Sequence, residues 1–532
     1  MIGETAAPPA PSHGSSERQR IARTIAAVFD EVLEQTECGL DDPFFRLGGD
    51  SMAGLRVLTR LHEEFGVGIQ VADLYSHSTP LALADRLIEL RSRADTWRRS
   101  VASTARRRRG KPLPLSLAQE GFYAIEKVTR GVGIFNSVLL MRLTGDVDAA
   151  ALSDAIGDVV QRQTALRVQF GEEAGRAGQR LVDRPPVITR LDLRGRGEKA
   201  LARLAKMEYL RGFDLSTEPP ARFTVARMTD DGWALIVTVH HIAFDGMSQP
   251  ILLDELAHAY RCRVGEASPR PPLRADYLDF AEWQRDVLRG DRLESHLEGL
   301  CEILRDPAPA IAPREADGNF ASRIDDLLVP DRTARGMRQL AADCDSTIFI
   351  VLLAALTDFA YRRTKAERQL ITVQTANRNW PGSEDMVGCF SNMLCVEVGV
   401  DPLAPPAEAL ARARTAMSRA LRHEELPLDY ALDLLSSRGR DLVAIGNMPQ
   451  LGFTLQPVAE DRIDLPGCVM TAEAVQQGRE NSDPTSFPLV VELGLTQQGL
   501  AGTTYRLLDM WPDDSFAQAE EELLAAFARF SV

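Results

Sequence analysis

The chain has 532 residues, of which 45% are hydrophobic and 26% charged, and a formal net charge of −15. That length exceeds one ordinary core and predicts three or four compact units, while the acidic balance argues against binding nucleic acid, where phosphate recognition rewards a basic surface. The seven cysteines lack CxxC spacing and suit free thiols in a reducing cytoplasm, not disulfides or zinc, and the longest apolar run, 348–356, falls short of the ~20 residues that span a bilayer.

Residues 1–17 (MIGETAAPPAPSHGSSE) lack a basic stretch followed by an apolar one and read as a flexible tail rather than a signal peptide. Ile21, Ile25, Val28 and Val32 then recur at helical spacing, and a turn-rich stretch follows through Gly39 to Gly49. A second helix is expected from Ser51, with Met52, Leu55, Leu58, Leu61 and Phe65 on one stripe, then a short helical turn at 71–75. A last helix opens at Pro80 and carries Leu81, Leu83, Leu87 and Leu90. Together these predict a helical unit over 18–93. Residues 94–112 lose the apolar period and predict a linker, in which the basic run 106–109 is a solvated spacer. From 113 onward helical patterns alternate with β-branched runs such as 137–143, 233–239 and 369–374, which predicts α/β layers. About 420 residues are too many for one core, so two lobes are expected, 113–287 and 288–532.

Two short stretches, about 190 residues apart, carry chemistry. In DDPFFRLGGDSM, Gly48 and Gly49 permit tight turns, Asp50 can cap the next helix, and Ser51 projects from its N-terminus. Free backbone N–H groups and the helix dipole there favour a phosphate ester on the serine, although an isolated GGDS string is more often only a loop and a cap. The second stretch is HHIAFDG. An apolar strand runs straight into His240 and His241, and because successive strand residues face opposite sides, only one of the two can face a given cavity. Asp245 can form a buried ion pair, and Gly246 allows close backbone approach. A histidine pair alone is more often structural or metal-binding; no third metal ligand stands at useful spacing.

The helical unit resembles the peptidyl carrier domain of nonribosomal peptide synthetases, matching its attachment motif in order at Asp42, Pro43, Phe44, Phe45, Leu47, Gly48, Gly49, Asp50 and Ser51. The remainder resembles the condensation domain of those synthetases, whose core motif is HHxxxDG. Further motifs follow in order: Ser116, Ala118 and Gln119 with Phe122 and Tyr123; Arg162 with Leu166, Arg167 and Phe170; Tyr277, Asp279, Phe280, Ala281 and Trp283; Val387, Gly388, Phe390 and Asn392; and His423, Pro427 and Leu428. The chain departs from the pattern at Gly121, where the family often has arginine, and at Gln163 and Thr164, where it usually has His-Glu.

The resemblance implies a small four-helix carrier followed by two chloramphenicol-acetyltransferase-like lobes arranged as a V. It implies 4′-phosphopantetheine on Ser51, beside Gly49 and Asp50, holding an aminoacyl or peptidyl thioester donor. His241 would be the catalytic candidate, with His240 packed inward, Asp245 paired to Arg378, and the Gly246 N–H directed at the thioester. The acceptor amine would ride on a downstream carrier, and adenylation domains and a phosphopantetheinyl transferase would be supplied from outside, since no adenylation motif is present. Epimerisation is the nearest alternative; release by cyclisation or ester formation, and an inactive docking platform, are the others.

Overall fold

The computed structural model describes residues 13–531 apart from 36, 50, 68, 70, 94–111, 130, 132, 174, 316–320, 381, 443–447, 457–461, 474–479, 482–486, 497 and 498. Most of the expected tail, nearly all of the expected linker with its basic run, and Asp50 therefore lie outside the described residues.

Four helices form first: α1 (His13–Leu33), α2 (Ser51–Phe65), α3 (Val71–Ser76) and α4 (Pro80–Arg93). Ile21, Ile25 and Phe29 on one stripe of α1 are buried with Val57 and Leu61 of α2 and with Leu83 and Leu87 of α4. The loop before α2 is held by aromatics. Phe44 is fully buried, its ring centroid 5.0 Å from that of Phe29 and 5.3 Å from that of Phe45, which stacks on Tyr75 at 5.0 Å. Fully burying such a ring is worth about 1.5–3 kcal/mol. The two glycines fit around it: Gly48 has φ +92°, and a Cβ on Gly49 would stand 2.4 Å from the Phe44 ring. The GG pair thus lets the loop cross the ring immediately before Ser51 opens α2.

The rest of the chain is built on three sheets. The strands are β1 (Leu113–Pro114), β2 (Asn136–Gly145), β3 (Val168–Glu173), β4 (Arg176–Leu181), β5 (Val187–Asp192), β6 (Ala221–Arg227), β7 (Gly232–His240) and β8 (Ser322–Val329). After these come β9 (Arg368–Thr375), β10 (Asn392–Gly399), β11 (Leu451–Gln456), β12 (Arg462–Leu465), β13 (Cys468–Glu473), β14 (Glu480–Asn481), β15 (Leu489–Thr496) and β16 (Gly499–Leu507). One sheet has the order β12-β13-β2-β7-β6-β5, a second β10-β9-β11-β15-β16-β8-β14, and a small third β1-β4-β3.

In the first sheet β7 is flanked on both edges, and both its faces are covered. Leu235, Val237 and Val239 pack with the helices Ala149–Arg162 and Ser248–Arg263. Ala234 and Ile236 pack with Leu201 and Ala205 of the helix Gly197–Leu210. A strand buried on both faces reads as an unbroken apolar run, and this one delivers His240 and His241 rigidly at its end. The second sheet is backed by the helix Ile348–Thr364, which is buried along most of its length; among the described residues no single helix is long and apolar enough to cross a membrane.

The strands of the C-terminal half do not all join one sheet. β12 and β13 belong to the first sheet: β13 pairs with β2 from Cys468↔Gly145 to Glu473↔Leu140, and β12 pairs with β13. Residues 462–473 therefore cross back from the C-terminal half into the sheet that carries the histidines.

Candidate active site

β7 stops at His240 because the chain turns into a 3₁₀ turn over His241–Ala243. His240 is 1% exposed. Its Nδ1 accepts the Ile242 N–H at 3.0 Å, which assigns the proton to Nε2, 3.4 Å from Glu126 Oε2. The edges of Phe135 and Phe213 close around it. His240 thus fastens the turn and presents nothing to substrate.

His241 is only half-buried, and its partners are reversed. Nδ1 donates to the Phe244 carbonyl at 3.0 Å, so the free lone pair sits on Nε2, which receives the Ser137 hydroxyl at 3.2 Å. The β2–β7 pairing, Asn136↔His240, is what brings Ser137 there. Phe122 lies nearly parallel to the ring, 6.1 Å away. Burial holds the His241 pKa below its ordinary value, against the opposing pull of the Phe244 carbonyl. The result is a neutral imidazole with one outward acceptor, suited to an N–H group.

Asp245 is 2% exposed and saturated. Oδ1 accepts from Arg378 Nη2 (2.8 Å), Ser248 N (2.8 Å) and Ser248 Oγ (2.8 Å), and Oδ2 accepts from the Phe390 and Ser391 N–H groups (3.0 and 3.2 Å). Arg378 is 4% exposed, donates also to the Ser383 and Met386 carbonyls, and lies over the Phe390 ring at 4.4 Å. One carboxylate thereby ties the turn after His241 to the distant segment 387–391. Gln163 adds a second tie, donating to the Asp385 carbonyl and accepting the Val387 N–H, both at 2.9 Å. The departure from His-Glu here thus keeps a donor and an acceptor in use. At Gly121 a Cβ would meet nothing within 4 Å.

Other motif residues support the turn from behind. Gln119 donates to the Ile242 carbonyl at 3.0 Å, while Ser116 and Tyr277 share a hydrogen bond of 2.9 Å and Tyr277 donates to the Cys389 carbonyl at 2.6 Å. His423 lies away from this cluster, against His296 at 3.4 Å, and burial pushes its pKa down to about 4.

Gly246 forms part of the wall of a cavity of about 410 Å³, within the range of small-ligand sites. Met247, Ser391, Glu424 and Gln456 contribute from the large unit; Arg56 of α2 and Val71 and Tyr75 of α3 contribute from the helical unit. The helical unit reaches it because α3 packs on the helix Pro406–Leu421, with Arg46 4.0 Å from Asp345. Ser51 begins the helix that carries Arg56. His241 is not in this wall; it faces Ser137 and Phe122. A larger cavity of about 830 Å³, between the helices Ala149–Arg162 and Ser248–Arg263, includes none of the residues 240–246. Reading the sequence did not single out Ser137, Glu126, Glu424 or Gln456. For Ser137 the alternation of β2 was the available signal; for the others burial was needed.

The family model for the condensation domain matches residues 110–444. The chain belongs to the condensation-domain family. In front of its condensation domain, the model for the phosphopantetheine attachment site matches residues 19–87, so this is the carrier and condensation pair of a nonribosomal peptide synthetase, with phosphopantetheine as the carrier's prosthetic group. A linear gramicidin synthase of Brevibacillus parabrevis is 31% identical over 444 residues, 80% of this chain and 9% of that protein. Phosphinothricin tripeptide synthetase PhsB of Streptomyces viridochromogenes is 30% identical over 429 residues, 77% of this chain and 35% of that protein. The chain thus spans a minor part of each relative's length. In fold, the condensation domain is similar to the X-domain from teicoplanin biosynthesis (TM-score 0.67, 22% identity, 80% of this chain and 96% of that one). It is also similar to the first condensation domain of the CDA synthetase (TM-score 0.64, 18% identity, 79% and 97%).

Proposed function

We propose that this chain forms peptide bonds in nonribosomal peptide synthesis, with the donor acyl group carried on Ser51 and the acceptor amine carried on a downstream carrier. The observation that supports this is one cavity whose wall is shared by the carrier residues Arg56, Val71 and Tyr75 and by Gly246. The two units supply the two ends of one path. The large unit acts as two lobes, one for each main sheet, set as a V around that path.

Phosphopantetheine supplies a thiol on which the acyl group is held as an activated thioester. Ser51 suits its attachment, since it opens a helix of 15 residues, and the positive end of a helix dipole favours a phosphate. Gly48 and Gly49 shape the loop that presents it. The incoming amine replaces the Ser137 hydroxyl at His241 Nε2. Nε2 would take the proton that the attacking amine loses and would return it to the thiol that phosphopantetheine would supply as leaving group. The Gly246 N–H faces the carbonyl oxygen on which charge develops. His240, Asp245 and Arg378 hold these groups in place. Adenylation domains and a phosphopantetheinyl transferase load the carrier, in the cytoplasm.

Incubation with coenzyme A and a phosphopantetheinyl transferase, read by intact mass and peptide mapping, should add one phosphopantetheine at Ser51 and none in Ser51→Ala. A modified Ser51→Ala would move the attachment to another residue. Loading that carrier with a peptidyl group and adding an acceptor-loaded carrier should then release a chain longer by one residue. Absence of that product from a fully loaded protein would remove the proposal. In Gly246→Ala the new methyl would stand 3.1 Å from Gln456 Oε1, the end of a flexible side chain. Its cost to folding should therefore stay within about 1 kcal/mol, in the range of an ordinary substitution. Turnover should fall about tenfold or more because the methyl enters the path of the donor.

A further inference from the structure

We infer that Glu424 selects the donor: its side chain is placed to hydrogen-bond the amide of a peptidyl or N-acylated donor, and to disfavour a donor with a free α-ammonium. The inference rests on the reading of the 410 Å³ cavity as the donor's path.

Glu424 is 2% exposed, yet it forms part of the cavity wall, with Thr375, Met417 and Leu421 among its companions there. Its backbone has a structural duty, since its carbonyl accepts from Asn392 Nδ2 at 2.7 Å. The side chain does not share that duty. Oε1 accepts from Asn379 Nδ2, and among the described residues no basic group pairs with the carboxyl. The charged groups around it are committed elsewhere. Glu425 is paired with Arg292, 2.7 Å from its Oε1, and faces His296. Arg378 is held by Asp245 and by two carbonyls. Arg56 reaches the cavity from the carrier side, and its charge does not favour a second cation there.

A carboxyl without a counter-ion in such a place resists ionisation. Burial first, and the neighbouring Glu425 charge in addition, raise its pKa to about 8, so at neutral pH it carries its proton. A protonated carboxyl offers one O–H donor and keeps an acceptor, which complements the C=O and N–H of an amide. An ammonium entering the same wall must shed water and finds no carboxylate already charged. The sign with pH follows: selection for the amide is full below about pH 8 and is lost as pH rises through that value.

The test uses the full chain and two unreactive probes, N-acetylalanyl-aminopantetheine and alanyl-aminopantetheine, in which an amide replaces the thioester. Calorimetry at pH 7, in two buffers of different ionisation enthalpy, reads affinity and proton exchange together. The wild type should bind the acetylated probe about tenfold more tightly, the effect of one well-placed hydrogen bond in a buried wall. In Glu424→Ala the two affinities should converge to within about twofold, whereas Glu424→Gln, which keeps the shape and a neutral donor, should hold most of the preference and show no loss above pH 8. Equal affinities in the wild type, or a preference that survives in Glu424→Ala, would overturn the inference. So would tighter binding of the free amine with release of a proton, which would make this a cation site. A parallel condensation assay separates the two levels: peptide product with indifferent Glu424 variants removes only the selection, while no product from the loaded wild type removes the donor path on which it rests.

Discussion

Replacement of His241 by alanine is expected to slow peptide bond formation by about 10²–10⁴-fold, the usual contribution of a positioned acid–base group, without changing the loading of Ser51. The Nε2 lone pair is the only acceptor His241 presents outward, since Nδ1 is committed to the Phe244 carbonyl. The pH profile should carry the same signature. Because burial lowers the His241 pKa, the neutral, proton-accepting form persists to lower pH, and the acid limb of the rate should fall below the ordinary histidine range. That limb should vanish from the residual activity of His241→Ala. Aligning two tethered reactants is itself worth about 7–11 kcal/mol, so substantial catalysis survives the loss. Single-turnover kinetics with a preloaded donor decide the matter: a rate within about threefold of wild type would take His241 out of the mechanism.

The second large effect is on folding. Asp245→Ala leaves the Arg378 guanidinium buried without a counter-charge, with side-chain exposures of 1% for both partners in the intact pair. Removing one member of a buried pair costs about 3–5 kcal/mol, and here the Phe390 and Ser391 N–H groups lose their acceptor as well. Denaturant titration should show a lowered midpoint for the condensation domain. Asp245→Asn should cost less, because it keeps an acceptor. The double variant Asp245→Ala/Arg378→Ala should be less destabilised than the sum of its singles. A change under about 1 kcal/mol in Asp245→Ala would mean that this pair does not hold segment 387–391 in place.

What could be read from the sequence was what is local. The run of β7 into His240 and His241 carries its period in a few consecutive residues and forms as that pattern predicts. The partner of Asp245 lies 133 positions away; family resemblance suggested Arg378, since no spacing rule could. Gln163 looked like a mere departure until its amide was found between the Asp385 carbonyl and the Val387 N–H. Glu424, inside the string HEELP, has the sequence signature of an ordinary solvated acid. Its neutrality comes from burial by other elements, a tertiary property. The pairing of β13 with β2 was invisible for the same reason: the two strands stand more than 300 residues apart and share no repeat or periodic mark.

That last pairing bears on how such proteins can be recombined. A hybrid made by joining the first half of one condensation domain to the second half of another at 287/288 would supply β12 and β13 from the wrong parent, and β13 must register against β2 over six paired positions. A mismatch would leave β2 as an open edge, with unpaired backbone groups that invite aggregation. Exchanges that carry 462–473 along with the histidine-bearing half preserve the native seam, so the inheritable unit in this fold is discontinuous along the chain.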